Sequence, residues 1–293
     1  MTGVKVFDSW EQVSLLWEFD VSPLLLVGHP HMPRYMVAYP GFLLEERWPG
    51  VGFSAYISFF CAINFALFYE ISKLAIRKPP SAILFIVFIS AHLFMNGRGV
   101  IAWAGWLLCI WISLRTSTNS ARHRQLFLIA PSCLLASVST GVFIVVFIAF
   151  SVVLLRCWRA VMGARTRAQL VALAFGLSIA YTALDFFLLS IAKNVDFYGG
   201  GISGVIEMLS HGLGVYFFQA NIIVIIIFAL IIYALLFLLF LNLYNRKKIS
   251  IIDYFIGISL LGGFFGFTVL TLVIPLILLR LQSLFQRGQR MAV

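Results

Sequence analysis

The chain has 293 residues, of which 62% are hydrophobic, 16% aromatic and 11% charged. Soluble domains carry about 25% charged residues, so the composition lies far outside their range. The formal net charge is +10, but the basic residues fall between apolar runs and not on one face, which argues against a nucleic-acid partner and for membrane topology.

Residues 1–50 have an acidic balance, and prolines punctuate them densely, which predicts an irregular arm on a surface. Apolar runs then recur as far as residue 279, without the ten-residue alternation of a membrane barrel. The predicted spans cover residues 51–75, 80–95, 99–114, 125–138, 141–155, 169–192, 213–243 and 251–279. We therefore predict an all-α polytopic membrane protein with eight transmembrane helices, or nine if the last run crosses twice. Its parts are an extracytoplasmic arm (1–50), one transmembrane domain (51–280) and a basic tail (281–293).

The positions of the basic residues predict the orientation. Thirteen of the 21 Lys and Arg residues lie in alternate loops, at 73–78, 115–124, 156–167 and 246–248, whereas the other loops hold only Arg98 and Lys193. By the positive-inside rule the first set is cytoplasmic, and the arm and the loop at 193–212 face outward.

The last run is ambiguous. Gly262 and Gly263 interrupt it, and two passes would keep Arg280 on the cytoplasmic side. A run of 29 residues makes two thin spans, however, so a single crossing is favoured. Asp253 is expected to pair locally with the lysines at 247–248.

The stretch from Lys193 to Gly214 is the most unusual part of the chain. It holds six glycines together with Lys, Asp, Glu, His and Tyr in 22 residues. We predict an outer loop that carries a short amphipathic helix against the membrane. Glu207 and His211 are four residues apart and would share one face of that helix.

Several segments would thus bring polar groups to the outer face. Asp185 would lie roughly 12 Å inside the membrane from Lys193, where a carboxylate marks function by default. For His92 the alternative to a substrate-binding role is a histidine buried in the core. For Arg98 the alternative is a residue that caps the turn or contacts lipid headgroups. The candidate acids and bases are His211, Glu207, Asp196 and Asp185. The candidate substrate-binding residues are Arg98, Lys193, Arg34, His92, Tyr198, Gly199 and Gly200.

Motifs for nucleotides, zinc and Asp-bound magnesium are absent from the sequence, so neither a metal nor a cofactor is expected. Arginine and lysine without metal ligands suit an anionic substrate such as a diphosphate, which they bind by charge-assisted hydrogen bonds.

Three motifs carry a family resemblance: the turn at 95–99, the hinge at 137–141 after a basic loop, and the loop that begins at Tyr198-Gly199-Gly200-Gly201 and reaches His211-Gly212. With these the chain resembles the bacterial oligosaccharide repeat-unit polymerases of the O-antigen and exopolysaccharide type (Wzy or EpsG). Lys193 and Gly204 have the spacing of that family's Arg-x10-Gly pattern, with Lys in place of Arg.

The resemblance implies a glycosyltransferase at the outer face of the bacterial inner membrane. A hydroxyl of one undecaprenyl-diphosphate-linked repeat unit would attack the anomeric carbon of the growing chain, and undecaprenyl diphosphate would leave. Membrane lipid, a chain-length regulator and a flippase are the implied partners. The alternatives are another membrane transferase acting on lipid-linked sugars, and a transporter or scaffold subunit of an envelope polysaccharide system.

Overall fold

The structure is a computed structural model. It describes residues 16–22, 25, 32–93, 95, 97–118, 128–139, 141–150, 181, 185, 188–189, 191–192, 195–196, 199–205, 230, 233–234, 236–237, 240, 244, 250–262 and 273–283. These residues form helices joined by turns, with no strand among them, which confirms the all-α prediction for this part of the chain. The helices are α1 (Met32–Arg47), α2 (Gly52–Ile76), α3 (Ala82–Leu93), α4 (Gly97–Thr118), α5 (Ile129–Ala136), α6 (Gly141–Phe150), α7 (Ile251–Gly262) and α8 (Val273–Ser283).

The proline-rich arm is not irregular throughout, because α1 occupies its last third. Pro33 lies in the first turn, where a helix does not use the backbone N–H, and Pro40 is accommodated inside the helix. Tertiary contacts hold α1 in place: Tyr35 is fully buried and its hydroxyl donates to the Val21 carbonyl over 2.8 Å. The prolines predicted irregular backbone in this part of the arm, but tertiary packing stabilises a helix there.

Helices α2, α3 and α4 run down, up and down beside one another. Arg77 ends α2 in the left-handed conformation (φ 57°), and Pro79 and Pro80 follow it. Ser81 then caps α3, since its hydroxyl accepts from the Leu84 N–H. The start of α2, the end of α3 and the start of α4 consequently lie at one end of the bundle.

Helices α4 and α5 cross with their backbones in close contact. A Cβ atom on Gly105 would lie only 2.5 Å from the Ala136 nitrogen and 2.6 Å from the Ser132 carbonyl oxygen. The Ser132 hydroxyl donates to the Gly105 carbonyl over 2.7 Å. Small residues at such a crossing let two helices approach closely, as membrane helices often do.

The C-terminal run folds back on itself. Asp253 lies in the first turn of α7 and Arg280 near the end of α8, 27 residues later, yet their side chains form a fork with N–O distances of 2.6 and 2.8 Å. One straight helix would separate them by about 40 Å. One straight helix over this run is therefore excluded, whereas the number of membrane crossings stays a prediction. Arg280 is a partner of Asp253 that the sequence did not predict, and the expected partners Lys247 and Lys248 lie outside the described residues.

Two described helices are long and apolar enough to cross a membrane, by length and composition only: Gly52–Ile76, with mean hydropathy 1.5, and Gly97–Arg115, with 1.4. The segment Gly97–Arg115 is mostly buried by other helices, whereas Gly52–Ile76 is mostly uncovered. Large apolar side chains elsewhere are also exposed, among them Phe59, Ile83, Ile86, Phe237 and Phe240.

Candidate functional site

Two arginines from distant parts of the sequence lie near enough to each other to interact electrostatically at one end of the bundle. Arg34 lies in the first turn of α1, and Arg98 in the first turn of α4. Burial, together with the nearby positive charge of Arg98, lowers the pKa of the Arg34 guanidinium to about 10. Both side chains are half-buried. We call this end of the bundle the arginine end.

An apolar cluster holds the two helices together beneath these arginines. Tyr35 and Ala38 of α1 pack with Val100 and Ile101 of α4, and Val138 joins them from the turn after α5. All five are at most 3% exposed. Arg34 is next to Tyr35 in the sequence, and Arg98 is two residues before Val100. Packing of this cluster therefore fixes the backbone positions from which both arginine side chains extend.

A polar network lies inside the bundle at the same end. The Asn64 Nδ2 lies 2.9 Å from the Val100 carbonyl oxygen and 3.1 Å from Nε2 of His92. His92 Nδ1 lies 3.0 Å from the Phe88 carbonyl oxygen, and the edge of the His92 ring meets Trp103. Both ring nitrogens of His92 are engaged by protein atoms, which is the environment of a core histidine.

The glycines at 199–201 form a tight helix end. The Gly200 N–H donates to the Val195 carbonyl, and the Gly199 N–H donates to the Asp196 carbonyl, with Gly199 at φ +100°. These are the two bonds of a Schellman cap. The next helical turn packs so closely that a Cβ on Gly204 would lie 2.4 Å from the Val195 oxygen. Residues 199–205 thus form a turn followed by a helical segment, within the stretch where the sequence predicted an outer loop.

The two predicted carboxylates in the described residues are exposed: Asp185 in a helix, and Asp196 just before the Schellman cap. Residues 191–192 and 195–196 are helical, and Lys193 lies outside the described residues. Four predicted site residues lie outside the described residues, namely Lys193, Tyr198, Glu207 and His211. Their roles remain predictions.

Residues 32–93 and the other described segments contain no group of three or more His, Cys, Asp and Glu side chains that suits a metal ion. The sequence interpretation missed Asn64, which is completely buried in the middle of an apolar helix of 25 residues. The signal was present, because an amide inside such a run must find partners in the protein.

Comparison of the chain with protein-family models, curated proteins and solved structures finds no match. The geometry of the arginine end therefore has to support any functional assignment by itself.

Proposed function

We propose that the chain is a polytopic membrane protein that binds an anionic, diphosphate-bearing lipid at the arginine end and transfers the sugar linked to it. The observation that carries this proposal is the proximity of Arg34 and Arg98, two cations from different helices. Two positive charges placed at one end of the bundle attract a multivalent anion. A diphosphate offers several oxygens to two planar guanidinium groups, which can each bind in a bidentate manner.

The apolar exterior supports the membrane part of the proposal. Exposed apolar side chains on α2, α3 and the segment at 230–244 would face lipid, since soluble monomers rarely expose patches of this kind. The hairpin of α7 and α8 favours nine inserted segments. It would also return Arg280 to the side of the basic loop at 246–248, in keeping with the positive-inside rule.

The expected reaction is that of an oligosaccharide repeat-unit polymerase at the outer leaflet. The two arginines would stabilise the negative charge that develops on the leaving undecaprenyl diphosphate. The base for the attacking sugar hydroxyl would come from Asp185, Asp196, Glu207 or His211. A different transferase acting on lipid-linked sugars would use the same anion site, so the product distinguishes the two.

The first test measures lipid-linked products in cells that depend on this chain. We expect a ladder of repeat units with the natural chain and a single repeat unit with Arg98→Ala or Arg34→Ala. Arg98→Lys should recover only part of the ladder, because an ammonium group lacks the planar fork. Arg115→Ala is the matched control, since Arg115 lies in the same helix at the opposite end, where it stacks on Trp111 and approaches Glu70.

The second test measures binding of inorganic pyrophosphate to the purified full chain by calorimetry. Each of the Ala variants at positions 34 and 98 should weaken binding by about 10- to 100-fold, which corresponds to the loss of hydrogen bonds to a charged group. Normal polymer and normal pyrophosphate binding in Arg98→Ala would refute the proposal. If the natural chain binds pyrophosphate but its product shows the transfer of one sugar only, the result would favour a different transferase that acts on lipid-linked sugars.

A further inference from the structure

The network of His92, Asn64 and Val100 has only one consistent arrangement of hydrogens. A carbonyl oxygen can only accept, so the Phe88 carbonyl requires a hydrogen on His92 Nδ1. In the neutral ring, Nε2 is then an acceptor, and it receives one hydrogen of the Asn64 amide. The second amide hydrogen goes to the Val100 carbonyl. The amide cannot be turned around, because its oxygen would then face the carbonyl of Val100.

This arrangement joins three helices in a fixed order: α3 through His92, α2 through Asn64, and α4 through Val100. Val100 belongs to the first turn of α4, two residues after Arg98. Ile57 of α2 bounds the same turn on another side, because a Cβ on Gly97 would lie 2.9 Å from its Cδ1 atom. The first turn of α4 is therefore located against α2 at two points.

We infer that Asn64 is a positioning residue for Arg98, and that His92 acts as the fixed acceptor that orients Asn64. The inference rests on the proposed anion site and extends it. Asn64 donates to the first turn of α4 and so sets the depth and rotation of the helix end that carries Arg98. His92 removes the freedom of the amide to rotate. A guanidinium must be aimed within a few tenths of an ångström to bind two phosphate oxygens, so the orientation of this turn affects affinity.

The experiment measures the dissociation constant of inorganic pyrophosphate for the purified full chain by calorimetry. We expect Asn64→Leu and His92→Leu each to weaken binding by about tenfold, the size of one buried hydrogen bond. His92→Gln should stay within about threefold of the natural chain, because the Gln carbonyl can replace Nε2 as the acceptor. Ser132→Ala is the control: it also removes a buried bond to α4, at Gly105, but farther from Arg98, and it should leave binding unchanged.

A double-mutant cycle separates positioning from general destabilisation. If Asn64 acts through Arg98, Asn64→Leu has no further effect on binding in the Arg98→Ala background. An equal loss in both backgrounds would overturn the inference. So would natural affinity in Asn64→Leu, or failure of His92→Gln to restore what His92→Leu loses, and these results would leave the anion site standing. If the natural chain itself does not bind pyrophosphate, the proposed site and the positioning role fall together. Should Asn64→Leu not fold, the two His92 variants decide the question.

Discussion

The buried fork between Asp253 and Arg280 allows a sharp test of the C-terminal hairpin. Arg280 is 2% exposed and Asp253 6%, and two N–H donors meet two carboxylate oxygens. Arg280→Met would leave the carboxylate buried with the Ser250 N–H as its remaining described donor. Removing one partner of a buried pair costs about 3–5 kcal/mol, because the other charge stays buried and uncompensated. Asp253→Leu should cost a similar amount.

The double variant carries the decisive information. Replacing a buried ion pair by apolar residues of similar volume is often neutral, so Asp253→Leu combined with Arg280→Met should regain most of the stability. The cycle should then give a coupling energy of about 3 kcal/mol or more. The assay is unfolding of the purified chain in mixed micelles by titration with a denaturing detergent, followed by circular dichroism. Lys247→Met is the control, because the sequence alone suggested a local partner for Asp253.

A coupling energy below about 0.5 kcal/mol would contradict the hairpin, since additive effects indicate sites that do not touch. A loss in Lys247→Met as large as that in Arg280→Met would instead support local pairing along a single helix. Either result would favour one straight helix over residues 251–279.

Three further predictions follow from other parts of the fold. Gly105→Ala should destabilise the chain by about 1–3 kcal/mol through the close crossing with α5, whereas Gly257→Ala, with nothing within 4 Å, should be tolerated in the same unfolding assay. Hydrogen bonds from the Phe53 and Gly50 N–H groups hold the pKa of Glu45 below its usual value, so its stabilising effect is present at neutral pH and is lost as the pH falls below about 4.5; thermal unfolding of Glu45→Gln should lack this part of the acid sensitivity. In a background without the four native cysteines, an impermeant maleimide added to intact cells should label Ile202→Cys but neither Ala164→Cys nor Gly288→Cys, and the opposite pattern would reverse the proposed orientation.

The sequence predicted what depends on local pattern. Apolar runs of 16–25 residues and their Pro and Gly boundaries located α2, α3 and α4 to within a few residues. The Pro79-Pro80 pair lies between the end of α2 and the start of α3, and there the Ser81 hydroxyl accepts from the Leu84 N–H. Helix α1 was missed because its stability comes from contacts of Tyr35 and its neighbours, which proline statistics do not contain.

Long-range pairings were beyond the sequence for a physical reason. Asp253 and Arg280 are 27 positions apart, and they can pair only if the chain reverses direction between them. Gly262 and Gly263 permit such a reversal, but they do not require it. The proximity of Arg34 and Arg98 depends on the apolar cluster to which both α1 and α4 contribute. A charge count predicts the side of the membrane on which a residue lies, but it does not predict its neighbours. Only the structure shows that Arg34 and Arg98 are neighbours at the arginine end.

The charged contacts among the described residues include one buried pair of opposite sign and one pair of like sign. Asp253 and Arg280 compensate each other, and their burial closes the hairpin against α4, where Phe255 meets Trp106. Arg34 and Arg98 carry the same charge, and burial of Arg34 together with the nearby charge of Arg98 lowers the pKa of Arg34. A multivalent anion bound beside them would favour the charged form of both guanidinium groups, and a ligand that binds the folded chain stabilises it. On this physical basis we propose that a diphosphate is selected over a neutral lipid.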